Sequence, residues 1–250
     1  MRPLMMSLAR TGLAAGTAAL ALTSGGAAAA KPQEGPGRMF ELHGGNYGPA
    51  VDSTFGDADK TPWADVFGGK QLTLLRGHFD WQLWNGFGTV AVGLGGGYGW
   101  VDGYARDGDG EATEDEVGFN LMPLSLSLVY RFDWATARYG FPLVPYGKAG
   151  LSAGLWWATD ANDDISSAVG AGGASRRGSG LTFGWHAAGG LMFLLDVLAP
   201  GMAASMRDEA DVRNTYIFAE FSHNVLDDFG GGRSLVLSDD ALSFGLAFEF

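Results

Sequence analysis

Two short segments of the chain place a carboxylate and a histidine two residues apart, Glu41 with His43 and His78 with Asp80, and a further histidine, His186, follows in a glycine-rich stretch. Residues two apart on an extended strand share a face, so each pair points one way. Histidines with Glu41 or Asp80 have the donor chemistry of a metal site. With a serine such as Ser125 or Ser127 they have the parts of an acid-base pair for lipid hydrolysis. In a polar interior they are more simply hydrogen-bonded fillers. No spacing here fixes a catalytic or ligand geometry, so the filler reading stands, and no catalytic, cofactor-binding or metal-binding residue is assigned. DGDGEA (107–112) and DANDDI (160–165) alternate oxygens as a calcium loop does, yet lack the glycine at position six and the glutamate at position twelve. They are expected to be solvated acidic loops.

These residues must be held by strands. In Met122–Asp133 the residues Met122, Leu124, Leu126, Leu128, Tyr130 and Phe132 fall on one face and Pro123, Ser125, Ser127, Val129, Arg131 and Asp133 on the other, a period of two that marks a β-strand. The same alternation gives strands around 75–83, 90–100, 183–195 and 241–250, with weaker ones at Arg38–Asn46, Leu143–Trp157 and Asn214–Leu226. Eight strands result. The connections alternate: long at 47–69, 102–116, 158–180 and 227–240, short at a turn around Asn85-Gly86, at 134–142 and at 199–213, where Met202, Ala203 and Met206 suggest a turn or two of helix. Long loops at one end and short ones at the other are the pattern of an outer-membrane barrel.

The polar face decides between a membrane barrel and its inside-out counterpart, a soluble lipocalin-like carrier. A face meeting bulk water would carry many Lys, Glu and Thr; instead strand 90–100 shows Ala91, Gly93, Gly95, Gly97 and Gly99 there. Small residues suit a narrow interior. Aromatics near strand ends (Tyr98, Trp100, Trp157, Phe183, Trp185, Phe248, Phe250) fit interfacial girdles rather than the core of a soluble sandwich. The expected fold class is therefore all-β, an eight-stranded antiparallel transmembrane β-barrel over 38–250. An ionic network is expected inside it, from Glu41, His43, Arg76, His78, Asp80, Arg131, Lys148, His186, Glu220 and Glu249, because unpaired charge away from water is costly.

Composition agrees. Residues 1–30 carry two arginines, an apolar stretch from Gly12 to Leu22 and an A-x-A ending, which reads as a cleaved signal peptide and not a membrane anchor; 31–37 is a short N-terminal segment. Residues 31–250 keep 14 of 16 basic side chains and all 28 acids, a formal charge of −14, which argues against nucleic-acid binding. The chain has no cysteine, so disulfides, thiolate metal sites and a lipoprotein anchor are excluded. The 41 glycines with 16 Phe, 8 Trp and 7 Tyr fit short strands and loops rather than disorder. The final strand, ending on Phe248 and Phe250, resembles the assembly signal that the barrel-insertion machinery takes as an edge strand.

FELHGGNYGPAVDSTFG (40–56), LSLVYRFD (126–133), LVPYGKAGL (143–151) and DDFGGGRSLVLSD (227–239) resemble a family of myxobacterial outer-membrane β-barrel proteins, over essentially the whole of 31–250. The resemblance implies the fold and a place in the bacterial outer membrane, and it carries no catalytic residues. The expected function is a structural or surface-interaction protein with a side-chain-filled lumen and acidic outer loops. Its expected contacts are outer-membrane lipid, lipopolysaccharide and the assembly machinery, with the external partner open. A narrow pore, suggested by the glycine face, and a lipid-acting enzyme, suggested by the histidines, are the alternatives.

Overall fold

A computed structural model describes residues 37–56, 60–107, 109–169, 175–232 and 234–250; the expected signal peptide lies outside the described residues. The chain forms β1 (Arg38–Tyr47), α1 (Pro62–Phe67), β2 (Leu72–Gly86), β3 (Gly88–Arg106), β4 (Ala112–Arg131), α2 (Trp134–Tyr139) and β5 (Leu143–Thr159). There follow a small hairpin of β6 (Ser167–Val169) and β7 (Ser175–Arg177), then β8 (Ser179–Leu194), α3 (Pro200–Ala210), β9 (Asn214–Leu226) and β10 (Asp239–Glu249). Eight strands close in the order β1-β10-β9-β8-β5-β4-β3-β2, every neighbour antiparallel, with β6 and β7 set apart on the β5–β8 connection. The last seam is shut to its end: Phe250 N donates to Arg38 O at 2.8 Å and Arg38 N to Phe250 O at 3.2 Å.

The faces fall as the alternation requires. Leu126, Leu128, Leu151, Leu191, Ile217, Phe221, Leu242 and Phe244 are exposed on the outside, while Ser127, Val129, Ser222, Ser243 and Ala247 are buried within. A continuous outer coat of large apolar side chains over a polar interior is the surface of a membrane-spanning barrel, and closure leaves no sheet edge unpaired in hydrocarbon. Among the described residues no helix is long and apolar enough to cross a membrane.

Two connections differ from expectation. The turn between β2 and β3 is centred on Phe87 rather than on Asn85-Gly86: Gly86 pairs with Gly88, whose φ of +106° favours glycine. A bulge lies just before it, between Gln82 and Trp84. At the other end, 102–116 is not a loop. β3 and β4 continue as 19- and 20-residue strands, well beyond the 9–11 residues that span a bilayer, and project as a hairpin with its turn at 107–111. The projection persists because α1 leans on it. Asp52 caps α1, accepting from Trp63 N at 2.7 Å and Ala64 N at 3.2 Å, and Arg106 Nε donates to Asp65 O at 2.7 Å. A side chain at Gly103 would strike the Val66 carbonyl.

Both ends of the tube are shut. At the loop end Tyr47, Val51, Trp63, Phe67, Leu72, Val101, Phe119, Leu121 and Leu237 form one buried apolar cluster. Trp63 meets Phe119 edge-on at 5.2 Å, and Tyr47 OH donates to the Leu237 carbonyl. At the end holding the termini, Met39, Val144, Tyr146, Met192, Leu194, Tyr216 and Phe218 form a second cluster. Beneath it lie α2 and α3, the latter placed where Met202, Ala203 and Met206 suggested helix, with Pro200 in its first turn.

Candidate functional site

Between the two apolar clusters lies the polar lumen. All ten residues of the expected network point into it. Nine of them are buried and Arg76 is half-buried. Strand parity puts them inside, and the antiparallel register decides who meets whom. β1 and β5 are not neighbours, yet Lys148 Nζ reaches across to Glu41 Oε2 at 2.5 Å and to Glu220 Oε2 of β9 at 3.0 Å. Tyr146 OH donates to Glu220 at 3.0 Å, and His43 Nδ1 sits 4.0 Å from Glu220 and 3.1 Å from Ser243 Oγ. Arg131 Nη1 donates to Asp80 Oδ2 at 2.7 Å. Glu249 accepts instead from two neutral amides, Gln82 Nε2 at 2.8 Å and Asn214 Nδ2 at 2.6 Å. Gln82 and Asn214 were not among the expected members, although the parity of Gln82 with Asp80 was there to be read.

The glycine face of β3 is room for these side chains rather than a water path. A Cβ at Gly93 would collide with the Asp80 carboxylate and the His78 ring, one at Gly95 with Ser125 Oγ, and one at Gly97 would come 2.7 Å from Arg76 Cγ. What remains empty is a cavity of about 60 Å³, lined in part by His43, Arg76, His78, Ser127, Lys148, His186 and Glu220. That is space for a few waters, which suits polar atoms without a hydrogen-bond partner on two of its lining side chains, Arg76 Nε and His78 Nδ1.

The structure brings two of the histidines, His78 and His186, into one chain with two serines. Ser152 Oγ lies 2.8 Å from His186 Nδ1, His186 Nε2 lies 3.0 Å from Ser127 Oγ, and Ser127 Oγ lies 3.4 Å from His78 Nε2. His78 Nδ1 then sits 3.0 Å from Asp80 Oδ1, in ion-pair contact but without a hydrogen-bond angle. Carboxylate, imidazole and hydroxyl in that order are the parts of an activated serine. Two facts weigh against it: the contacts are long or off-line, and Ser127, at 1% exposure, has no room beside it for an acyl substrate. The metal reading fares similarly. Glu41, His78 and Asp80 bring ligand atoms within 4.8 Å of one another, the one such cluster among the described residues, but Lys148 and Arg131 already neutralise the two carboxylates. A divalent ion there would face two fixed cations.

The two acidic segments are turns that cap themselves. Asp107 Oδ1 accepts from Asp109 N and Glu111 N at 3.0 and 2.9 Å, and Asp160 Oδ1 from Asn162 N and Asp164 N at 2.9 and 3.3 Å. These Asx-turns account for the spacing of their oxygens. Outside the membrane span, Asp228 is held below the usual carboxylate range by the Phe183 N–H at 2.8 Å and by the Ser234 hydroxyl. Asp133, at the opposite end, is raised by burial despite the Thr89 hydroxyl at 2.6 Å.

No protein-family model matches the chain, and a search of curated proteins gives no match. Solved structures of similar fold include Ail, the attachment invasion locus protein of Yersinia pestis, in complex with the heparin analogue sucrose octasulfate. It is 13% identical, with 86% of this chain and 97% of that one covered and a TM-score of 0.41. Neisserial surface protein A is 12% identical over 86% and 93%, with a TM-score of 0.38. The outer membrane enzyme PagL is 14% identical over 84% and 98%, with a TM-score of 0.34. At these identities the likeness is one of architecture.

Proposed function

We propose that this outer-membrane barrel is a cell-surface interaction protein, exported with a cleaved signal peptide and inserted by the assembly machinery through its C-terminal strand, that presents an acidic outer surface to cationic partners. The observation that carries the reading is the closed lumen: apolar clusters shut both ends around an ion-paired middle, leaving the outer surface as the part that can act. That surface is strongly charged. The projecting hairpin holds Asp102, Asp107, Asp109, Glu111, Glu114, Asp115 and Glu116 against Arg106, whose guanidinium is engaged with α1 and the turn. Such a face repels polyanions, attracts cations at long range, and meets lipopolysaccharide phosphates through bridging divalent ions. The test has two parts. Purified protein in planar bilayers should give flat current traces, and cells bearing it should retain a cationic protein in a salt-dependent way that deletion abolishes. Discrete conductance steps would revive the pore reading, and unchanged retention on deletion would end the surface one.

A lipid-acting enzyme is the second reading, favoured by the order Asp80, His78, Ser127. An activated Ser127 would take covalent label from a fluorophosphonate and lose it on Ser127→Ala; the buried, off-line geometry leads us to expect no label in either protein.

A further inference from the structure

The outward face of β3 passes from Leu94 through Tyr98 and Trp100 to Asp102, and so from hydrocarbon through the headgroup level to water. Beside this column stand Asn120 of β4 and Trp157 and Thr159 of β5, and the 160–163 turn brings Asp163 over them with a left-handed φ of 62°. Together these residues line a groove of about 390 Å³ on the outer rim. An ordinary aromatic girdle needs rings spaced around the barrel. Here three are stacked together: Tyr98 lies 5.6 Å from Trp100 at an interplanar angle of 22° and 6.1 Å from Trp157 at 27°. Tyr98 OH, donating to Asn120 Oδ1 at 2.5 Å, fixes the middle ring. The result is an offset stack of three rings, with Tyr98 between the two tryptophans, and with carboxylates at its watery edge.

We propose that this groove binds the guanidinium group of an arginine presented by a cationic protein partner. The inference rests on the surface-interaction reading and gives that surface a specific contact. A guanidinium is planar, stacks on aromatic faces and is weakly hydrated, and its N–H edge donates to carboxylates. Asp102 and Asp163 offer that edge. A lysine ammonium, a compact and strongly hydrated point charge, gains the attraction but cannot lie flat on the rings. A phosphate or sulfate would meet two carboxylates and no cation among the residues that line the groove.

The test titrates the full barrel in lipid nanodiscs with an arginine-only and a lysine-only peptide of equal length, at low and high salt. Arginine should bind about tenfold more tightly than lysine, and the joint substitution Trp100→Leu with Trp157→Leu should bring the ratio close to one while both peptides keep a salt-dependent affinity. Equal affinities for the two peptides in the unmodified protein, or an arginine preference undiminished in the variant, would overturn the groove and leave the acidic surface standing. If neither peptide binds at low salt, both readings fall. Should the double variant fold poorly, as judged by heat-dependent gel mobility, the exposed Asp102→Asn carries the same comparison: a reduced arginine preference supports the groove, and an unchanged one counts against it.

Discussion

Replacing Lys148 with methionine removes the ammonium that Glu41 and Glu220 share. Nζ stands 2.5 Å from one carboxylate and 3.0 Å from the other, and all three residues are buried, Glu41 completely. Methionine keeps most of the aliphatic stem, so the change is electrostatic rather than a cavity. Removing one member of a buried ion pair costs about 3–5 kcal/mol. With two carboxylates left facing the same gap, the upper end applies, about 5 kcal/mol. For a urea slope of about 2 kcal/mol per molar, the unfolding midpoint falls by roughly 2.5 M. The triple variant Lys148→Met, Glu41→Gln, Glu220→Gln deletes the whole charged unit and leaves no uncompensated ion. It should recover to within about 2 kcal/mol of the original, because the three losses couple and do not add. Folded fraction across a urea series in phospholipid vesicles, read by the mobility of unboiled samples in SDS gels, measures both. A midpoint shift below about 0.5 M for the single variant, which corresponds to about 1 kcal/mol, or a triple variant no more stable than the single, would refute the idea that these charges stand as one paired unit.

Gly93→Val forces a side chain into the Asp80 carboxylate and His78 ring, and should lower stability by about 3 kcal/mol or more; Gly147→Ala, whose Cβ would sit 3.8 Å from the Ala188 carbonyl on the lipid side, should be neutral in the same urea series. Deleting Phe250 removes two seam hydrogen bonds with Arg38, about 1 kcal/mol each, and the terminal aromatic. Folded barrel in isolated outer membranes should fall, and normal levels would make that residue incidental. The Asp228 contacts tie the β9–β10 loop to β8. With the folded pKa depressed, this tie is fully present above the ordinary carboxylate value and is lost as pH falls through the lower folded one. The Phe183 amide resonance should therefore titrate with a midpoint below that of a free aspartate, and Asp228→Asn should abolish the transition.

Strand parity made the barrel and the lumen's membership legible. Met122–Asp133 and Ala241–Phe250 announce their faces in sequence, so Arg131 and Glu249 could be placed inside before any coordinate. Pairing could not be read, because it depends on register and on contacts across the lumen: nothing local to Lys148 says that it lands between Glu41, over a hundred residues earlier, and Glu220. The projecting hairpin was hidden for a different reason. Asp102–Glu116 has a loop's composition, and it stays extended because α1 and Trp63 brace it from another segment. The mouth cluster was invisible for the same cause, since α1 is only six residues long and its apolar partners come from six strands and two connecting segments. The groove shared this limit: Tyr98, Trp100 and Trp157 read as a girdle, while Asp163 joins them only through a turn.

The mouth cluster divides the four outer connections into two kinds. The β1–β2 segment lends it Val51, Trp63 and Phe67, and the β9–β10 segment lends it Leu237, with Leu235 packed alongside; the described residues of the turns at 107–111 and 160–163 are not members. Under immune or phage pressure, change at the first pair is checked by the need to keep the barrel shut, whereas the second pair can diverge with little consequence for the fold. Variation among relatives should therefore concentrate on one half of the outer rim, the half that carries the acidic hairpin and the aromatic groove, while the opposite half ages slowly.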